Sequence, residues 1–228
     1  MTSIGDLRRS ARLNGVPEEG RLVELALRAF LTLFVVIDPV GVVPVFMGLA
    51  GQRTPEAQAR IARKAVVVAG FVLFGFALGG AWLLDKLDVS IDAFRVAGGI
   101  LLFRIAVGMV LAAPHERERP EEEEEARERA DVSVFPLAIP LIAGPGAMAS
   151  LMILVGQAGE DPSRLAIVFT MAGIVLLLTW VALRVSGTLG RVLRRTGVNV
   201  VTRVLGVLLA ALAVQYVSDG VRGLLAGR

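Results

Sequence analysis

Apolar residues along this chain come in blocks of membrane length, separated by short polar turns. The first block runs from about Leu25 to Ala50, and its only charged residue between Ala29 and Gln52 is Asp38. A polar turn follows, in which Thr54 reads as an N-cap with Pro55 at the first helical position. The second block has a charge-free core at Ala65–Leu84, where Gly70, Gly75, Gly79 and Gly80 are expected to admit a neighbouring helix. After the turn at Asp85–Asp88, a third block occupies about Ile91–Ala112. Three more lie at about Val132–Gly156, Leu165–Val185 and Asn199–Val217, the last preceded by a basic connection at Gly187–Val198. A membrane helix needs about 20 apolar residues. The pattern therefore predicts an all-α membrane protein with six spans. The short alternating segments of a β-barrel are absent.

Two of the blocks are interrupted. Ile37-Asp38-Pro39-Val40-Gly41-Val42-Val43-Pro44 sits inside the first, and Pro140-Leu141-Ile142-Ala143-Gly144-Pro145-Gly146 inside the fourth. Proline has no N–H to give, and its ring clashes with the carbonyl four residues back. Pro39 is thus expected to disturb the carbonyl of Val35, Pro44 that of Val40, and Pro145 that of Leu141. In hydrocarbon an unpartnered backbone group costs several kcal/mol, so broken helices persist only where buried in protein or lining a cavity. A pair of packed proline kinks is the bland alternative. Paired breaks in corresponding halves, one carrying an acid, point to a transporter site near the bilayer midplane.

The order of blocks divides the chain into a polar tail (1–22), a three-helix repeat (23–113), a charged linker (114–131) and a second three-helix repeat (132–228). The tail reads as a mobile segment or a short surface helix. The linker, with its acidic run Glu121–Glu125, reads as a solvated loop. Arg95-Val96-Ala97-Gly98 opens the third span and Arg203-Val204-Leu205-Gly206 the sixth, at an offset of 108. Pro39 and Pro145 correspond approximately. Three spans per half make the second repeat enter from the opposite side, which is an inverted repeat.

Composition narrows the chemistry. With 55% hydrophobic residues in 228, the chain is too apolar for a soluble domain of its size. Its net charge of +3 comes from loop arginines, and no nucleic-acid partner is read from it. There is no cysteine, and the single histidine, His115, has no companion ligand. No span carries a serine–histidine pair, a second mid-span aspartate or a zinc motif, so neither an intramembrane protease nor any other enzyme is expected. No cofactor, metal or catalytic residue is expected either. Oligomeric state is not readable.

Basic residues set orientation. Arg53, Arg60, Arg63, Lys64, Arg117, Arg119, Arg127, Arg129, Arg191, Arg194 and Arg195 fall on one side. Lys86, Arg164, Arg222, Arg228 and the tail arginines fall on the other. The first set is expected in the cytoplasm, with the linker, and both termini outside.

The stretch Ile37-Asp38-Pro39-Val40-Gly41-Val42-Val43-Pro44-Val45-Phe46, together with Pro140-Leu141-Ile142-Ala143-Gly144-Pro145-Gly146-Ala147, resembles the two signatures of the MarC family of bacterial integral membrane proteins. The segment Arg95–Gly99 is similar as well. The resemblance covers about residues 25–220 and implies a multi-pass protein with six helices in the bacterial inner membrane. It further implies transport of small neutral amino acids, as some relatives are taken to perform.

For such a zwitterion, helix N-termini would offer N–H donors to the carboxylate. The candidates are the amides after the breaks, at Gly41, Val42 and Val43 and at Gly146, Ala147 and Met148. Asp38 would accept from the ammonium group, and Pro39, Gly144 and Pro145 would shape the two breaks. Small residues at Gly41, Gly144 and Gly146 would let the ligand approach the backbone. Asp38 could instead be the group that couples transport to H+ or Na+, with Arg104 as its candidate ion-pair partner. An exporter or channel for another small polar metabolite, and a scaffold without transport, remain the alternatives.

Overall fold

The computed structural model describes residues 18–111 and 131–226, and these are helical nearly throughout. The helices are α1 (Glu18–Ile37), α2 (Val42–Ala50), α3 (Pro55–Lys86), α4 (Ile91–Leu111), α5 (Pro145–Ala158), α6 (Pro162–Arg184) and α7 (Ser186–Leu225). A segment of π-type winding, Ser133–Ile142, precedes α5. Four stretches are long and apolar enough to cross a membrane by themselves: Pro55–Gly80, Ile91–Leu111, Pro162–Arg184 and Val200–Leu225. Two bent pairs could each make one more span. α1 turns into α2 through 40°, and Ser133–Ile142 turns into α5 through 53°.

Many large apolar side chains lie on the surface. Phe71 is 77% exposed and Trp82 65%, which is tolerable only where lipid is the solvent. The chain is therefore a multi-pass integral membrane protein. In lipid, helices gain little from hiding apolar surface and associate by close van der Waals packing. α4 and α7 do so antiparallel. A Cβ added to Gly99 would meet Ala213 and Val217, one on Gly206 would meet Ala106 and Met109, and one on Gly220 would meet Val96. α3 and α6 also run antiparallel, with Gly70 against Leu176 and the rings of Phe74 and Phe169 5.6 Å apart.

Caps fix the polar turns. The Thr54 hydroxyl accepts from the Ala57 N–H at 3.3 Å with Pro55 behind it, as the sequence indicates. Asp161 does the same for α6, accepting from Ser163 and Arg164. At the start of the fourth block, Asp131 accepts from the Lys64 ammonium and from the Ser133 hydroxyl. Those two bonds, Lys64 first, hold its carboxyl below the ordinary aspartate value.

Three expectations need correction. α1 starts at Glu18, inside the segment read as a tail. Its two leading glutamates suit a helix N-terminus, and the spacing of Glu24 to Arg28 is one helical turn. The basic connection at 187–198 is backbone helix continuous with α7. It contains no proline, and its leucines and arginines are good helix formers, so three glycines do not by themselves make it a loop. Of the four glycines of α3, Gly70 and Gly80 do meet neighbours, while Gly75 and Gly79 face open space. Residues 1–17, His115 and the linker up to residue 130 lie outside the described residues.

Candidate functional site

The first break is built by Asp38. Its N–H makes the last bond of α1, to Phe34 O at 3.0 Å. Its backbone then turns left-handed, at φ 49°, a conformation that aspartate tolerates better than most residues. Pro39 follows, buried, with no N–H to continue the helix. The carboxylate closes the turn, as Oδ1 accepts from the Gly41 N–H at 2.9 Å. The Asp38 carbonyl accepts from Val42 at 3.1 Å, and the Val40 carbonyl from Val43 at 3.2 Å. All three amides that the sequence offered to a ligand carboxylate thus have internal acceptors here. Pro44 does not break anything. It occupies the first turn of α2, where its missing N–H costs no bond, and the Val40 carbonyl is satisfied. Gly41 is required for space, since a Cβ there would collide with the Asp38 carboxylate.

The second break is longer. Phe135 and Ile139 each precede a proline, and both are extended, at φ −128°, ψ 126° and φ −129°, ψ 125°. The proline ring excludes the α region from the residue before it. The winding ends where Ala143 N–H donates to Ala138 O at 2.8 Å. Gly144, at ψ 166°, then leads into α5 with Pro145 in the first turn. A Cβ on Gly144 would strike the Pro140 carbonyl. No side chain caps α5. Its first amides, at Gly146 and Ala147, therefore lack the kind of carboxylate that Asp38 supplies at the other break.

The two breaks meet. A Cβ on Gly146 would collide with Leu102 of α4 and lie 3.7 Å from Val36, in the last turn of α1. Ile37, Val42, Val43, Ile142, Ala143 and Ala147 belong to one continuous buried core. The fold thus gathers the candidate residues of both signatures. Arg104 is exposed on α4. Arg95 pairs with Asp92 at 2.8 Å near the start of the same helix. Among the described residues no cluster of three or more acids or histidines could hold a metal. Two cavities described below lie between α3 and α6, and neither is lined by a residue of the breaks.

Comparison with known proteins covers nearly the whole chain. Residues 23–225 match the profile of the MarC family of integral membrane proteins. The chain is 35% identical over 199 residues to the UPF0056 membrane protein YhcE of Escherichia coli, covering 87% of this chain and 92% of that one. It is 37% identical over 198 residues to the UPF0056 membrane protein YvbG of Bacillus subtilis, covering 86% and 93%. With a UPF0056 membrane protein of Archaeoglobus fulgidus it shares 35% over 192 residues, covering 84% and 90%. No solved structure matches significantly.

Proposed function

The chain belongs to the MarC family of integral membrane proteins, and we propose that it transports small neutral amino acids across the bacterial inner membrane by alternating access. The observation that carries this reading is the meeting of two broken spans, at Gly146 and Val36, with a carboxylate at one break and uncapped helix amides at the other. Together these offer an acceptor for an ammonium group and donors for a carboxylate.

Several relations support six crossings in two inverted repeats. α4, α6 and α7 are each long enough to cross. Because α4 and α7 are antiparallel, an even number of crossings between them is expected, which supports a crossing by the bent pair before α6. Arg28, midway along α1, is an electrostatic neighbour of Tyr216, in the C-terminal half of α7. α2 ends four residues before α3 begins at the opposite end, which supports a crossing by the first pair too. The pairing of helices has the expected correspondence: α1 packs on α6 as α3 packs on the segment before α5, and α4 on α5 as α7 on α1 and α2. Lys64 and Asp131 share one end, which supports grouping the basic loops on the cytoplasmic side with both termini outside. Coupling to H+ or Na+ would fall to Asp38.

The cap made by Asp38 favours a second reading, in which the acid is structural and the protein a scaffold. Thermal stabilisation of purified protein by small amino acids separates the two. Saturable stabilisation supports transport, and the absence of any across the series supports the scaffold.

A further inference from the structure

Away from the breaks, the antiparallel pair α3 and α6 forms a groove with a charged head and an apolar tail. The tail is a cavity of about 480 Å³. Gly70 and Gly173 leave it open, and the ring pair Phe74–Phe169 lies at its far end. The head is a second cavity of about 210 Å³, lined by Arg60, Arg63 and Arg184. Arg63 and Trp180 line both cavities, so the two adjoin. The indole N–H of Trp180 is buried and has no hydrogen-bond partner among the described residues. None of the three arginines has an acid paired with it among the described residues.

We propose that this groove is a binding site for an anionic phospholipid. Its phosphate would sit on Arg60, Arg63 and Arg184, and one acyl chain would lie along Gly70 and Gly173 toward Phe74. Three guanidinium groups with no acid paired to them among the described residues, beside a lipid-facing apolar channel, fit one occupant that is anionic at one end and apolar over the rest. Guanidinium groups grip phosphate through parallel N–H bonds, and Trp180 adds a donor where head meets chain. The spacing repeats along both helices. Positions 60, 63, 67, 70 and 74 of α3, and 173, 177, 180 and 184 of α6, each form one stripe that ends in arginine.

The chain has two tryptophans, so Trp82→Phe leaves Trp180 as sole reporter. The test is quenching of its fluorescence by lipids brominated in the acyl chain, in nanodiscs of graded composition. Each arginine near an anionic headgroup is worth up to several-fold in affinity, so with three of them brominated phosphatidylglycerol should half-quench at a mole fraction lower by at least about tenfold than brominated phosphatidylcholine. Arg60→Gln, Arg63→Gln and Arg184→Gln together should remove that difference. Gly173→Leu should raise the half-quenching fraction for both lipids. A Cβ there meets nothing within 4 Å, so this variant folds even if the triple one does not. Identical curves for the two lipids, or a preference that survives the arginine replacements, would overturn the proposal. So would unchanged quenching in the Gly173→Leu variant. Loss of the preference on adding free glycerol phosphate would assign the arginines to a soluble ligand instead.

Discussion

The Asp38 carboxylate accepts a hydrogen bond from the Gly41 amide at 2.9 Å and fills the space that a Cβ on Gly41 would need. The acid and the glycine are thus one unit. The carboxylate closes the turn between α1 and α2, and the missing side chain makes room for it. Gly41 has φ −70°, so its backbone would suit any residue. The constraint is steric.

Gly41→Ala should therefore destabilise the protein by displacing the carboxylate. The expected loss is about 1–3 kcal/mol, the usual range for overpacking. Asp38→Ala should cost about 1–2 kcal/mol through the lost cap and the left-handed backbone. Melting of purified protein in detergent measures both. If Gly41→Ala melts with the parent, the unit does not exist.

Gly146→Ala tests the packing of the second break against α4. Its Cβ would collide with Leu102, so a loss of about 1–3 kcal/mol is expected. Leu102→Ala in the same chain should recover part of it, with a coupling of about 0.5–3 kcal/mol. Strict additivity of the two replacements would place the helices apart.

Asp131 gives a pH dependence. Its folded value is depressed, chiefly by the Lys64 ammonium and then by Ser133. The stabilisation is therefore present above the ordinary aspartate value of 3.8 and is lost as pH falls through the depressed folded value. Both side chains are about half exposed, at 55% and 42%, so the effect is small. The melting temperature of Asp131→Asn should sit slightly below that of the parent at neutral pH, and the gap should close in strong acid. A gap that widens on acidification contradicts the pairing.

Orientation is tested by a C-terminal reporter active only in the cytoplasm. With both termini outside, it should stay silent, and a reporter inserted in the linker should work. A bright C-terminal fusion reverses the assignment.

Much of this fold can be read along the chain because lipid demands long apolar blocks and polar turns demand caps. Thr54 with Pro55, and the two broken stretches, are local signals of that kind. The start of α1 and the helix through residues 187–198 escaped because polarity was equated with loop. Only backbone geometry shows that the amides of Gly41, Val42 and Val43 are already bonded. The arginine-headed groove needed two helices side by side, although each stripe was present in the sequence. Arg104 looked like a partner for Asp38 on depth alone, and the face it occupies on α4 cannot be judged from depth.

The central claim is that the Asp38 carboxylate serves a ligand or coupling ion as well as the cap. Asp38→Asn separates these roles. Asparagine keeps an oxygen acceptor for the Gly41 N–H and tolerates a left-handed backbone, but it removes the charge and the titration. The measurement is uptake of a small neutral amino acid into proteoliposomes, with and without an H+ or Na+ gradient, for the parent and for Asp38→Asn at matched incorporation. The parent should transport. The variant should fold normally yet lose about ten- to hundredfold in apparent affinity or in gradient-driven uptake, as expected for a lost charge-assisted bond. Equal transport by a well-folded Asp38→Asn variant would contradict the account and leave Asp38 as a structural cap alone.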